Sequence, residues 1–266
     1  MSAYTFDQDT HFERVEPGLY RGQLSGNYNI GPVPNGGYVA SLGLSALTLA
    51  LADSERDPLS VTTHYLRPAR VGPVEARVEV VKQGKRFATA LARLSQEGQE
   101  HAIVLATFGV LEGAREPVRH VTGAPPSLPP VADGFRPPAN DFIVIARQFD
   151  TSYDPESAGW MQRRGSGRAE IKGWLRFADG RAPDLRSLPL FADAMPPAMF
   201  GVKVTGWVPT IELTVHLRAR PAPGFLRAVF TSRFIFGGFL EEDGELWDER
   251  GVLVAQSRQL AQVPDR

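Results

Sequence analysis

Residues 61–68 read VTTHYLRP, and residues 213–221 read LTVHLRARP. Each places a Thr-x-His core ahead of Arg and Pro. A Pro/Gly turn then follows, Val71-Gly72-Pro73 in one case and Ala222-Pro223-Gly224 in the other. The echo continues downstream. His64 lies 34 residues before Gly98 and His216 lies 35 residues before Gly251, and each glycine opens a last strand, AIVLATFG or VLVAQSRQLA. A set of landmarks recurring in the same order at a near-constant offset predicts duplication of one structural unit.

The unit reads outward from the first copy. Residues 38–52 (YVASLGLSALTLALA) are apolar on nearly every side, which predicts a helix buried all round; 15 residues are too few to cross a bilayer. Asn35-Gly36-Gly37 precedes this helix and DSERDP (53–58) ends it. β-branched and aromatic runs at 60–68, 74–81, 87–95 and 102–110 predict four strands. The short turns Gly84-Lys85 and Glu97-Gly98 make them an antiparallel meander. Residues 112–140 contain seven prolines and few large aliphatics, the composition of an extended linker. Beyond it, 142–150 and 169–177 read as strands. Residues 187–200 (SLPLFADAMPPAMF) read as partly helical, with Asp193 in an N-cap position and Pro196 in the first turn. The expected organisation is an N-terminal repeat over 1–113, a linker over 114–140 and a C-terminal repeat over 141–266.

Composition narrows the function. Hydrophobic residues make up 42% and charged residues 22%, so the chain can build a core. Twenty-nine Lys+Arg against 30 Asp+Glu leave a net charge of -1, with neither a nucleic-acid footprint nor a polybasic membrane anchor. Cysteine is absent, which excludes disulfides, thiolate nucleophiles and Cys-ligated zinc. Residues 1–20 lack the apolar core of a secretory signal, and the expected location is cytoplasmic. No HxH or HExxH spacing predicts a metal site, and no GxSxG predicts a serine nucleophile.

The segments PNGGYVASLGL (34–44), SVTTHYLRP (60–68), GWLRFADG (173–180), LFADAMPPAMF (190–200), GWVPTIELTVHLRARP (206–221) and ELWDERGVLVAQSRQLA (245–261) make the chain resemble the acyl-CoA thioesterase II family and its thioesterase-like relatives. The resemblance covers nearly the full length. It implies an α+β double hotdog fold, two tandem repeats whose antiparallel sheet wraps two long helices. It also implies hydrolysis of acyl-CoA thioesters to free acid and coenzyme A, with no cofactor beyond the coenzyme A of the substrate, and a homo-oligomer (dimer or larger). Position by position, the family's catalytic Asp, Thr and Gln fall on Asp193, Thr210 and Gln259. The chain departs from that pattern at Glu212-Leu213, where better-studied members have Asp-His, and at Pro196-Pro197.

Read by their chemistry, these residues have two meanings each. Asp193, among Phe191, Met195, Met199 and Phe200, suits a general base acting on water, since apolar surroundings raise a carboxyl pKa; otherwise it is a helix cap. Gln259 can both donate to and accept from a water, and strand alternation puts it on the inward face where the first copy has Ala106; otherwise it is a solvated edge residue. Period two groups Thr210 with Glu212, Thr214 and His216 on the outward face, so it reaches a site only through a β-bulge or if the strand begins after it, with Thr214 as the fallback. The N–H groups of Asn35, Gly36 and Gly37 at a helix start suit a thioester oxyanion, or simply a turn. His64 and His216, at matched positions, read as structural. Two other functions stay open: a non-catalytic acyl-CoA or lipid-binding protein and, ranked below it, a hotdog hydratase or dehydratase.

Overall fold

The strand-forming runs pair into one sheet because each exposes an apolar face that a single helix cannot cover alone. A computed structural model describes residues 3–111, 120–138 and 140–264. In chain order its elements are α1 (Thr5–Asp9), β1 (Phe12–Glu16), β2 (Leu19–Leu24), β3 (Asn29–Ile30), β4 (Val33–Pro34), α2 (Gly36–Leu51), β5 (Asp57–Tyr65), β6 (Gly72–Gln83), β7 (Ala88–Gln96) and β8 (Gln99–Gly109). The second half adds β9 (Phe149–Tyr153), β10 (Glu170–Phe177), α3 (Leu188–Phe191), β11 (Thr210–Leu217), β12 (Leu226–Thr231), β13 (Ile235–Phe236), β14 (Phe239–Trp247) and β15 (Leu253–Gln262). The main sheet has 13 strands, ordered β1-β2-β6-β7-β8-β5-β11-β15-β14-β12-β10-β9 with β13 beside β14. Every pairing in it is antiparallel.

The order is the same when read inward from either end. β5 and β11 meet in the middle, where Thr62 faces Thr214 and their hydroxyls lie 2.9 Å apart, 152 residues apart in sequence. His64 and His216 flank this pair on the exposed outer face, away from the helices.

Helix α2 is apolar all round and buried along most of its 16 residues. Its polar side chains find partners within reach: Ser45 and Thr48 hydroxyls donate to the carbonyls one turn back, at 3.0 and 2.8 Å. Asn35 caps its start, accepting from Tyr38 N–H at 3.0 Å.

The second half corrects three expectations. The pair of long helices is one helix of 16 residues and one of four. Pro196-Pro197 supplies no backbone N–H and biases Met195 away from helical dihedrals, so the chain turns through residues 192–197 and resumes as a short 3-10 turn at Ala198–Gly201. Asp193 follows a helix instead of capping the start of one. Residues 142–150 are mostly a 3-10 turn, Val144–Gln148, held by a bridge between Ile30 and Ile143, and β9 begins only at Phe149. Within the expected linker, residues 120–138 are largely without regular structure, and Pro129 O accepts from Trp174 Nε1 at 2.9 Å. Residues 114–119 and 139 lie outside the described residues.

The two helices meet at Gly37. A Cβ there would stand 2.5 Å from Pro189 O and 2.7 Å from Asp193 Cβ, closer than any side chain tolerates. Gly37→Ala is expected to cost about 1–3 kcal/mol by overpacking, read as a lower urea midpoint at unchanged slope.

Candidate active site

The carboxylate of Asp193 sits on the N-terminus of α2, which belongs to the other half of the chain. Its Oδ2 accepts from Gly37 N–H at 2.8 Å and from Asn35 Nδ2 at 2.9 Å. Asn35 Nδ2 also donates to the Asp193 backbone carbonyl at 2.8 Å. The first turn of α2 is fixed in turn by Tyr65, whose hydroxyl donates to Gly36 O at 2.7 Å. Unpaired N–H groups and the helix dipole make this a natural seat for an anion. Of the three N–H groups expected to face a thioester oxygen, that of Gly37 is engaged by the Asp193 carboxylate and that of Asn35 donates to Tyr28 O at 2.9 Å. Asp193 lines a cavity of about 1050 Å³. Burial outweighs the hydrogen bonds from Gly37, Asn35 and Gly36, and pushes the Asp193 carboxyl up to about 6.

On the facing strands, Thr210 Oγ1 donates to Gln259 Oε1 at 2.8 Å, and both residues line the same cavity. Thr210 turns inward because the register shifts between Thr210 and Glu212, a bulge that reverses its side. Thr214 stays outward in the central seam, bonded to Thr62 and to Glu212, and is not among the residues lining the cavity. Gln259 is buried, and its Nε2 donates to Glu242 Oε1 at 2.7 Å. Glu242 is buried too, its Oε2 accepts from Ala198 N–H, and burial pushes its carboxyl up to about 7.

Sequence reasoning missed Glu242 and Tyr65. Glu242 was legible in principle: in FLEEDGELW the inward positions of β14 are Leu240, Glu242, Gly244 and Leu246, a lone carboxylate in an apolar row. Tyr65 carries no such signal.

The duplication identifies a mate for each site residue. At the 152-residue offset of Thr62 and Thr214, the two helix caps Asn35 and Ser187 correspond, as do Gly37 and Pro189, Ser41 and Asp193, and Pro58 and Thr210. The bulge recurs, between Pro58 and Ser60. Pro189 has no N–H to clasp a carboxylate, and Ser41 instead accepts from Leu190 N–H at 3.0 Å. The cross-strand pair Glu242–Gln259 corresponds to Ala90–Ala106. Each chain therefore holds one polar constellation and one apolar vestige. Among the described residues, no group of three or more His, Asp or Glu side chains is arranged to hold a metal ion. No helix among them is long and apolar enough to cross a membrane.

Residues 24–109 match the family model for the acyl-CoA thioesterase N-terminal domain, and residues 124–263 match that for its C-terminal domain. The chain belongs to the acyl-CoA thioesterase domain family. Among solved structures, this family member is similar to a candidate thioesterase II from Thermobifida fusca YX, with TM-score 0.90, 32% identity and 99% of each chain covered. It is also similar to a conserved protein of unknown function with a hot dog fold from Alicyclobacillus acidocaldarius, with TM-score 0.85, 24% identity and 100% of each chain covered; at that identity the likeness shows the fold alone. An uncharacterized protein of Mycobacterium tuberculosis is 29% identical over 266 residues, 92% of this chain and 91% of that one.

Asn35→Ala removes both a helix cap and a donor to Asp193. It is expected to destabilise by about 1 kcal/mol and to raise the pH at which Asp193 ionises above about 6, followed by carboxyl-carbon NMR.

Proposed function

We propose that this thioesterase-family chain hydrolyses acyl-CoA thioesters to a free acid and coenzyme A, through a water activated by Asp193. The observation that carries the reading is the place of one carboxylate: its Oδ2 is tied to α2 and its residue lines a large cavity. Asp193 Oδ1 takes a proton from water as the water oxygen bonds to the thioester carbonyl carbon. Collapse of the tetrahedral intermediate breaks the C–S bond, and the proton passes to the departing thiolate. Thr210 and Gln259, hydrogen-bonded to each other at 2.8 Å, hold the same water by its second hydrogen. A thiolate leaves readily, so a single general base suffices without a covalent enzyme intermediate.

The same proposal takes the repeated strand order as a double hotdog, with repeats over 1–113 and 141–266 joined by 114–140. It also places the chain in a reducing cytoplasm as a homo-oligomer acting on coenzyme A thioesters, with no cofactor of its own. An acyl-CoA-binding protein without catalysis would need no ionisable group raised toward neutrality at the cavity wall.

Asp193→Asn is expected to cut kcat about 10²-fold or more with substrate affinity retained, measured by thiol release from short, medium and aromatic acyl-CoAs. Undiminished turnover removes Asp193 from the mechanism and favours simple binding if the unmodified chain is equally slow. The base works only when ionised, so kcat/KM should fall as pH drops through about 6. Asp193→Asn should abolish this fall.

A further inference from the structure

Glu242 is a buried carboxyl that the hydrolysis above does not use. It does not line the cavity, and among the described residues it forms no ion pair with a Lys, Arg or His. Its partners are two N–H donors: Ala198 on Oε2 and Gln259 Nε2, at 2.7 Å, on Oε1. The nearby charged groups are Asp193, on the segment after α3, and Glu241, on its own strand; both are acidic and oppose its ionisation. Burying such a group costs free energy that an apolar residue would not. The other half of the chain shows the cheaper solution, since Ala90 and Ala106 occupy the matching cross-strand pair and are fully packed. A packing requirement common to both halves is met there by alanine. The carboxyl is present only where a polar constellation is present.

Its geometry fixes a direction along a chain of hydrogen bonds. The Ala198 N–H can only donate, so Glu242 must accept there. An ionised carboxyl accepts at its other oxygen as well, which obliges Gln259 to turn its NH2 toward Glu242 and its carbonyl toward Thr210. Ala198 directly follows Pro196-Pro197, so the same carboxylate also ties the turn that carries Asp193 to the strand that carries Gln259.

We propose that Glu242 is a positioning residue: anchored by the Ala198 N–H, it sets which end of the Gln259 amide meets Thr210 and so makes this side of the cavity an acceptor for the attacking water. The inference rests on the reading of Gln259 as a water-holding group.

Glu242→Gln preserves shape and tests the direction. The new amide must still accept from Ala198, leaving its NH2 toward Gln259. Two NH2 groups cannot face one another, so Gln259 turns over and presents a donor to Thr210. The expected result is a kcat lower by about 10-fold or more, with KM within about twofold of the unmodified chain. In a Gln259→Ala background the same substitution should cost nothing further.

A second readout needs no turnover. The Gln259 side-chain NH2 resonances, assigned by their loss in Gln259→Ala, should shift in Glu242→Gln. In the Asp193→Asn chain, which removes the neighbouring titration and one of the charges that raise Glu242, they should also move as the pH is lowered below about 7 and Glu242 takes a proton. The titration requires no change at Glu242 and so decides the matter even if Glu242→Gln fails to fold. A full additional loss in the Gln259→Ala background would mark Glu242 as a packing residue and overturn the proposal. Resonances indifferent to both the substitution and the titration would overturn it too. If the unmodified chain releases no thiol from any acyl-CoA while the resonances respond as stated, the hydrolytic reading falls and the positional link between Glu242 and Gln259 stands.

Discussion

The structure turns on the seating of one carboxylate from the second half on the first turn of a helix from the first half. Asp193 Oδ2 takes the Gly37 N–H and the Asn35 amide that a free helix N-terminus would offer to solvent. That contact requires glycine at 37, because no Cβ fits between Pro189 and Asp193. It also requires the second helix to stop early, since a continued helix would carry the chain past this position. Burial and helix N–H groups act on the carboxyl in opposite directions. Burial wins, but the N–H groups keep the ionisation near 6 instead of far higher. A group so poised is ionised at neutral pH yet still basic, which suits proton abstraction.

The duplication explains why there is one such seat per chain. The two halves join edge to edge, and their strands keep the same order about a central pair, Thr62 and Thr214. The halves differ at a few inward positions. Pro189 has no N–H where Gly37 has one, Ser41 stands where Asp193 stands, and Ala90 and Ala106 stand where Glu242 and Gln259 stand. The bulge was kept in both copies, yet only one copy uses it to present a hydroxyl, Thr210, while the other holds Pro58.

Much of this was legible in the sequence, because repetition and alternation are strong periodic signals. The buried helix, the first meander and the inward face of Gln259 all follow from residue spacing, which at Thr210 left a bulge or a later strand start open. The length of the second helix was not legible with equal ease: Pro196 read as a favourable first-turn residue, and only its partner Pro197 and the preceding Met195 make it a terminator. Residues 142–150 carry apolar side chains at strand-like spacing, yet the bridge to Ile30 curls them into a turn, a tertiary constraint that local pattern does not encode. Residues 239–247 hide a strand behind an acidic, glycine-containing run of poor β-propensity, and Glu242 was hidden with it. Asn35, Gly36 and Gly37 read as a helix start whose donors could meet a thioester oxygen, and Gly37 N–H and the Asn35 amide meet a carboxylate. What sequence alone could not supply was that the occupant comes from the same chain.

The unbroken ladder between β5 and β11 has a mechanical consequence. Five consecutive residue pairs, from Glu212–His64 to His216–Ser60, lock the two copies into a single slab. A clamshell motion about that seam would have to tear main-chain bonds in the middle of the sheet, so the spacing between the halves is set by backbone geometry. Access to the interior then falls to the irregular segments along the rim, such as residues 204–208, which line the cavity with Trp207 half exposed.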